Sequence, residues 1–164
     1  MARRPGWRGA GNDEGGAIVE FLGMSILLLV PLLYLVVAFA RIQAAAYGSE
    51  FAAREASRGA VVAGVQALER GASVDQAIGV ASQRGNAIAT LSVEEFGFDA
   101  DEATRVTFAC DPNPCLSPGS DIVTMVEVTV GLPGVPGFVA SWMPLGVTVR
   151  STAASSVDGF ASGS

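Results

Sequence analysis

The spacing of apolar and polar positions changes character several times along this chain. Met1 to Glu14 sets Arg3, Arg4 and Arg8 among glycines, Pro5 and polar residues, a composition that buries nothing and reads as a leader. From Phe21 onward no charge appears until Arg41. About 20 apolar residues in helical geometry match the roughly 30 Å hydrocarbon thickness of a bilayer, so this stretch can span a membrane. Pro31, in its middle, removes one backbone hydrogen bond and favours a kink, a place where the helix can loosen. Beyond Arg41 the helical period continues to about Glu69. Ala45, Ser49, Ala52, Ala53, Ala56, Ala60, Ala63 and Ala67 share one side, with Glu50, Arg54, Glu55 and Arg58 on the other. Such a small-residue face buries little area but lets axes approach closely. Glu50 with Arg54 and Glu55 with Arg58 are spaced as surface pairs.

Gly71 is placed to end this helix, and Ser73 with Gln76 three residues later reads as a capping box opening a second one. Val74, Ala77, Ile78, Ala81, Ile88 and Leu91 form its expected apolar side, while Gly79 and Gly85 weaken it. After Glu94-Glu95-Phe96-Gly97-Phe98-Asp99 the period becomes two. Val106, Phe108 and Cys110 alternate with Arg105, Thr107 and Ala109. Ile122 to Val130 does the same, with Val126, Val128 and Val130 opposite Glu127 and Thr129. These strands are expected to pair as a hairpin. Val147, Val149 and Thr152 supply a third strand, and the end of the chain reads as a polar tail. Leu132 to Leu145 is apolar but broken by Pro133, Gly134, Pro136, Gly137 and Pro144, too interrupted for a second span. It reads as a loop folded over the sheet, or a surface resting on a membrane or partner through Phe138, Trp142 and Met143. The expected fold class is α+β: a membrane helix running into a long helix, a second helix, and about three antiparallel strands.

Length changes the picture little, since 164 residues hold one membrane helix and one small domain. Charge changes it more. The net charge is −6 with pI near 4.5, so nothing is available to neutralise the phosphates of a nucleic acid. There is no histidine, and every basic residue is arginine. The usual general base, proton shuttle and commonest metal ligand are missing together, which argues against an enzyme. No cofactor or metal is expected, and no nucleophile elbow, triad or phosphate loop can be assembled. Glu94 and Glu95, or Asp99, Asp101 and Glu102, lack the glycine and terminal glutamate of a calcium loop and read as a solvated turn.

Cys110 and Cys115 stand in Cys-Asp-Pro-Asn-Pro-Cys, the wrong spacing for a redox Cys-x-x-Cys and without further zinc ligands. In an oxidising compartment they are expected to close a small disulfide loop between the two strands. The leader arginines favour a cytoplasmic N-terminus, but Arg41, Arg54 and Arg58 follow the span at similar density; the cysteine pair tips the C-terminal region outside.

Gly15-Gly16-Ala17-Ile18-Val19-Glu20-Phe21, following an arginine-bearing leader and opening a long hydrophobic helix, resembles a class III prepilin signal. Glu followed by Phe, and the Ala53-Arg54-Glu55-Ala56 stretch, are similar to the TadE family of pilus-assembly pseudopilins, over Gly15 to about Val62. The resemblance implies cleavage by a prepilin peptidase after Gly15, which makes Gly16 the new terminus and Glu20 the fifth residue, or after Gly16, which makes it the fourth. It implies that Glu20 neutralises the new amine inside an apolar bundle and, with Phe21, takes part in assembly. The implied partners are other pilin or pseudopilin subunits, an inner-membrane assembly platform and lipid, in a Flp (Tad, type IV-like) pilus or related secretion apparatus.

The corresponding segments are a cytoplasmic leader (1–15), a transmembrane helix (16–40), an extracytoplasmic helical region (41–92), a β-rich head with its disulfide loop (93–155) and a flexible tail (156–164). Two other readings stay open. Glu20 is also an ordinary interfacial acid at a helix start. Ala38-Phe39-Ala40 before Arg41 is a small-x-small site that would release a secreted binding module, although the apolar run is long for a secretory signal. An uncleaved single-pass protein is the third possibility.

Overall fold

The computed structural model describes residues 13–112, 114–131, 134 and 146–158. Its elements run α1 (Asp13–Glu69), α2 (Val74–Glu95), α3 (Ala100–Ala103), β1 (Thr104–Asp111), β2 (Asp121–Gly131) and β3 (Gly146–Ser156), the α+β class expected. The chain divides into two compact units between Val37 and Ala38. Helix α1 continues as helix through Pro31, whose missing N–H leaves the Leu27 carbonyl without its usual donor. Leu132 to Leu145, apart from Gly134, and the last residues of the tail lie outside the described set.

In the first unit, the large apolar side chains from Ile18 to Val37 are exposed on every side of the helix, between 42% and 74% of their surface. A helix apolar all round and covered by nothing among the described residues is suited to lipid rather than water. The stretch is long and apolar enough to cross a membrane.

The second unit is a helical hairpin laid on a three-stranded antiparallel sheet of order β1-β2-β3. Gly71, at φ +87°, lets the chain reverse: its N–H donates to the Leu68 carbonyl at 2.9 Å and that of Ala72 to Ala67 at 3.0 Å. These bonds satisfy the last carbonyls of α1. Ser73 and Gln76 then form the expected capping box, Gln76 N–H donating to Ser73 Oγ and Ser73 N–H to Gln76 Oε1 at 3.0 Å. A second glycine reversal at Gly97, φ +81°, ends α2 four residues beyond Leu91.

The helices meet each other and the sheet through their smallest residues. On α1 the buried positions include Ala45, Gly48, Ser49, Ala52, Ala53, Ala56, Ser57, Ala60, Gly64 and Ala67, while Ala63 is only half-buried. Opposing them, β2 offers Ile122, Val126, Val128 and Val130, so the bulk of the core comes from the sheet. Helix α1 lies against β3, where Ser49 Oγ meets Ser151 Oγ at 2.8 Å and Ser57 Oγ meets Ser155 Oγ at 2.9 Å. Eight residues of helix and four of strand each advance roughly 12–13 Å, which is why both pairs close at once.

Helix α2 lies against β1. A side chain at Gly85 would sit 2.6 Å from the Phe108 ring and 3.2 Å from the Ala56 carbonyl, so only glycine admits this crossing. The buried side of α2 is therefore Ala77, Ala81, Gly85, Ala89, Ser92 and Val93. Val74 and Leu91, expected inside, are 47% and 63% exposed, because close helix packing selects for size rather than hydrophobicity. In β3 the inward positions are Val149, Ser151, Ala153 and Ser155; Thr152 points to the other face. The strand continues to Ser156, and Val157 is buried, its N–H donating to the Ser120 carbonyl at 2.8 Å.

Candidate functional site

Gly15 and Gly16 lie in the opening turns of α1, and among the described residues nothing stands within 4 Å of where a side chain at Gly16 would begin. Glu20 and Phe21 follow about one turn later, both exposed. Glu20 is the only charge from Gly16 to Ala40. A carboxylate here, at the margin of a segment suited to lipid, either reaches the polar boundary along its stem or meets a cation. The geometry thus keeps the two glycines, the acid and the phenyl ring on one helical segment in the order read from the sequence.

Cys110, at the end of β1, is joined to Cys115 with their Cα atoms 5.3 Å apart. The bridge rests on the cluster of Ala60, Ala81, Leu116 and Ile122, with Phe108 beside it. Within the loop Ser117 Oγ donates to the Pro114 carbonyl and Ser120 Oγ to the Ser117 carbonyl, both at 2.8 Å. The bridge thus fixes a β1–β2 turn that carries Leu116 into the core, at a positive φ of 61°.

Of the acids after α2, Glu94, Glu95 and Asp99 are exposed, and the side chains of Asp101 and Glu102 lie outside the described set. Among the described residues no three potential ligand side chains converge on a point. Between the acids Phe96 folds back on α1, its ring 6.3 Å from that of Phe51 and against Gly48.

One surface was not legible in advance. A shallow cleft of about 370 Å³ separates the outer sides of α1 and α2, with Glu55, Arg58 and Val62 on one wall and Arg84 and Ile88 on the other. Its floor is tight, since a side chain at Gly59 would overlap Ile88 Cδ1. Arg54 is ion-paired with Glu50 and Arg150 with Glu127, but among the described residues Arg58 and Arg84 have no acid partner. The expected Glu55–Arg58 pair is not formed. No protein-family model, curated protein or solved structure matches the chain.

Proposed function

We propose that this chain is a TadE-like pseudopilin: a structural subunit, not a catalyst, anchored by the apolar half of α1 with its disulfide-bearing head outside the cytoplasm. A prepilin peptidase would cut after Gly15, and the mature subunit would enter a Flp-type pilus or related secretion apparatus through its assembly platform. The observation that carries this reading is the placement of Gly15, Gly16, Glu20 and Phe21 at the start of one continuous helix whose next turns are apolar on all sides. Cleavage creates a charged amine, and an unpaired charge within an apolar bundle costs several kcal/mol. Glu20 of the same or a neighbouring subunit would cancel it and set the register of addition.

The test is the N-terminal sequence of the protein recovered from cells, with and without its prepilin peptidase, for the parent and Glu20→Ala. The expected result is a start at Gly16 that depends on the peptidase and persists in the variant, together with loss of the variant from assembled filaments. Normal incorporation of Glu20→Ala would remove the role given to the acid. A start at Arg41 would support the second reading, a secreted binding module. That reading draws on one structural feature: the compact second unit begins at Ala38, so a cut after Ala40 spares nearly all of its core.

A further inference from the structure

Two stripes on the helical hairpin, exposed except at the half-buried Val65 and Ile88, have the same unusual pattern. On α1, Arg58, Val62, Val65 and Glu69 fall at i, i+4, i+7 and i+11; on α2, Arg84, Ile88, Leu91 and Glu95 do the same. Each stripe starts with a base, passes through two aliphatic side chains and ends with an acid. Laid antiparallel, the stripes match at every position: Arg58 with Glu95, Val62 with Leu91, Val65 with Ile88, and Glu69 with Arg84. Within one chain this match is impossible, because packing places Ile88 beside Gly59 and Phe96 beside Gly48, about eight residues out of that register.

We infer that α2 of one copy docks on α1 of a second copy through these stripes. Three observations favour a second copy as the occupant. Val62 and Leu91 are 50% and 63% exposed, large aliphatics that each stand between a base and an acid of their stripe. Among the described residues none of Arg58, Glu69, Arg84 and Glu95 has an ion-pair partner in its own chain. Glu69 and Glu95 also end α1 and α2, where neither helix has a basic residue in its last turn. A carboxylate at that negative helix end is unfavourable, and an arginine from outside relieves it.

The geometry of the contact follows from the hairpin. Since α2 runs antiparallel to α1, an α2 antiparallel to the neighbour's α1 leaves the two α1 helices pointing the same way. The offset of about eight residues displaces one copy from the next by roughly 12 Å along α1. Each copy presents one stripe of each kind to different neighbours, so the contact is heterologous and open-ended rather than a closed dimer. The contact does not depend on how the N-terminus is processed; its place in a pilus does rest on the proposed function.

The experiment is chemical cross-linking and sedimentation of the full chain in mild detergent, for the parent, Arg58→Glu, Glu95→Arg and the double variant R58E/E95R. The parent should give a concentration-dependent ladder beyond the dimer. Each single reversal should weaken association roughly tenfold, and the double reversal should return it to within about threefold of the parent. Mixing the two single variants should also restore association, since each then supplies the charge the other lacks. A monomeric parent, a ladder stopping at the dimer, unaffected single variants, or a double variant no better than the singles would each overturn the inference. Restoration by the double variant with an unprocessed N-terminus would leave the contact standing while the pilin reading fell.

Discussion

Two glycines in α2 show how differently one residue type behaves with its surroundings. Gly79 faces open space, so a methyl group there meets nothing and only removes backbone freedom from the unfolded chain. Gly85 is pressed between the Phe108 ring and the Ala56 carbonyl. Gly79→Ala should therefore stabilise the fold by about 0.5–1 kcal/mol, whereas Gly85→Ala should cost about 1–3 kcal/mol through overpacking; denaturant titration of both variants reads the difference. From the sequence both were merely helix-weakening. The distinction needs the position of Phe108, more than twenty residues away in the chain, which no local pattern contains. Thr124 teaches the same lesson, being fully buried on the inner face of β2 with no partner for its hydroxyl among the described residues.

At the scale of elements, the legible parts were those whose signals are local. The capping box at Ser73, the stop at Gly71 and the alternation in β1 and β2 are each written within a few residues, and each holds. Strand β3 was less legible because its inward positions are mostly serine and alanine, which carry no hydrophobic alternation; pairing with β2 sets their phase. Those serines do specific work against α1. Ser49 donates its single hydroxyl proton to the Ala46 carbonyl at 3.0 Å, so in the Ser49–Ser151 contact Ser151 is the donor. Ser57 is committed in the same way to the Arg54 carbonyl at 2.9 Å. Ser49→Ala should then cost about 1–2 kcal/mol by leaving the Ser151 proton unaccepted, while Ser151→Ala costs less and S49A/S151A recovers part of the loss. A double-mutant cycle in urea measures the coupling.

For the whole molecule, the boundary between Val37 and Ala38 separates a segment with exposed apolar side chains from a head with two apolar clusters. The membrane-length stretch was plain in the sequence because apolarity on all sides needs no knowledge of tertiary contacts. The cleft between α1 and α2 was not, because it depends on the register of the hairpin. If the apolar half of α1 is retained, the full chain should stay in the membrane pellet through an alkaline carbonate wash and enter solution only with detergent. Recovery in the wash of a product starting after Ala40 would indicate the released form.

The small-residue face of α1 carries a consequence for how such a chain can change over time. Since its buried side admits almost nothing larger than alanine or serine, drift there is confined to exchanges among the tiniest side chains, and a lone gain of volume has no room to be absorbed. The valines of β2 that oppose it can lose or trade methyl groups far more freely. A saturation scan should accordingly read one surface of the core as a ruler of size and the other as a ruler of oiliness.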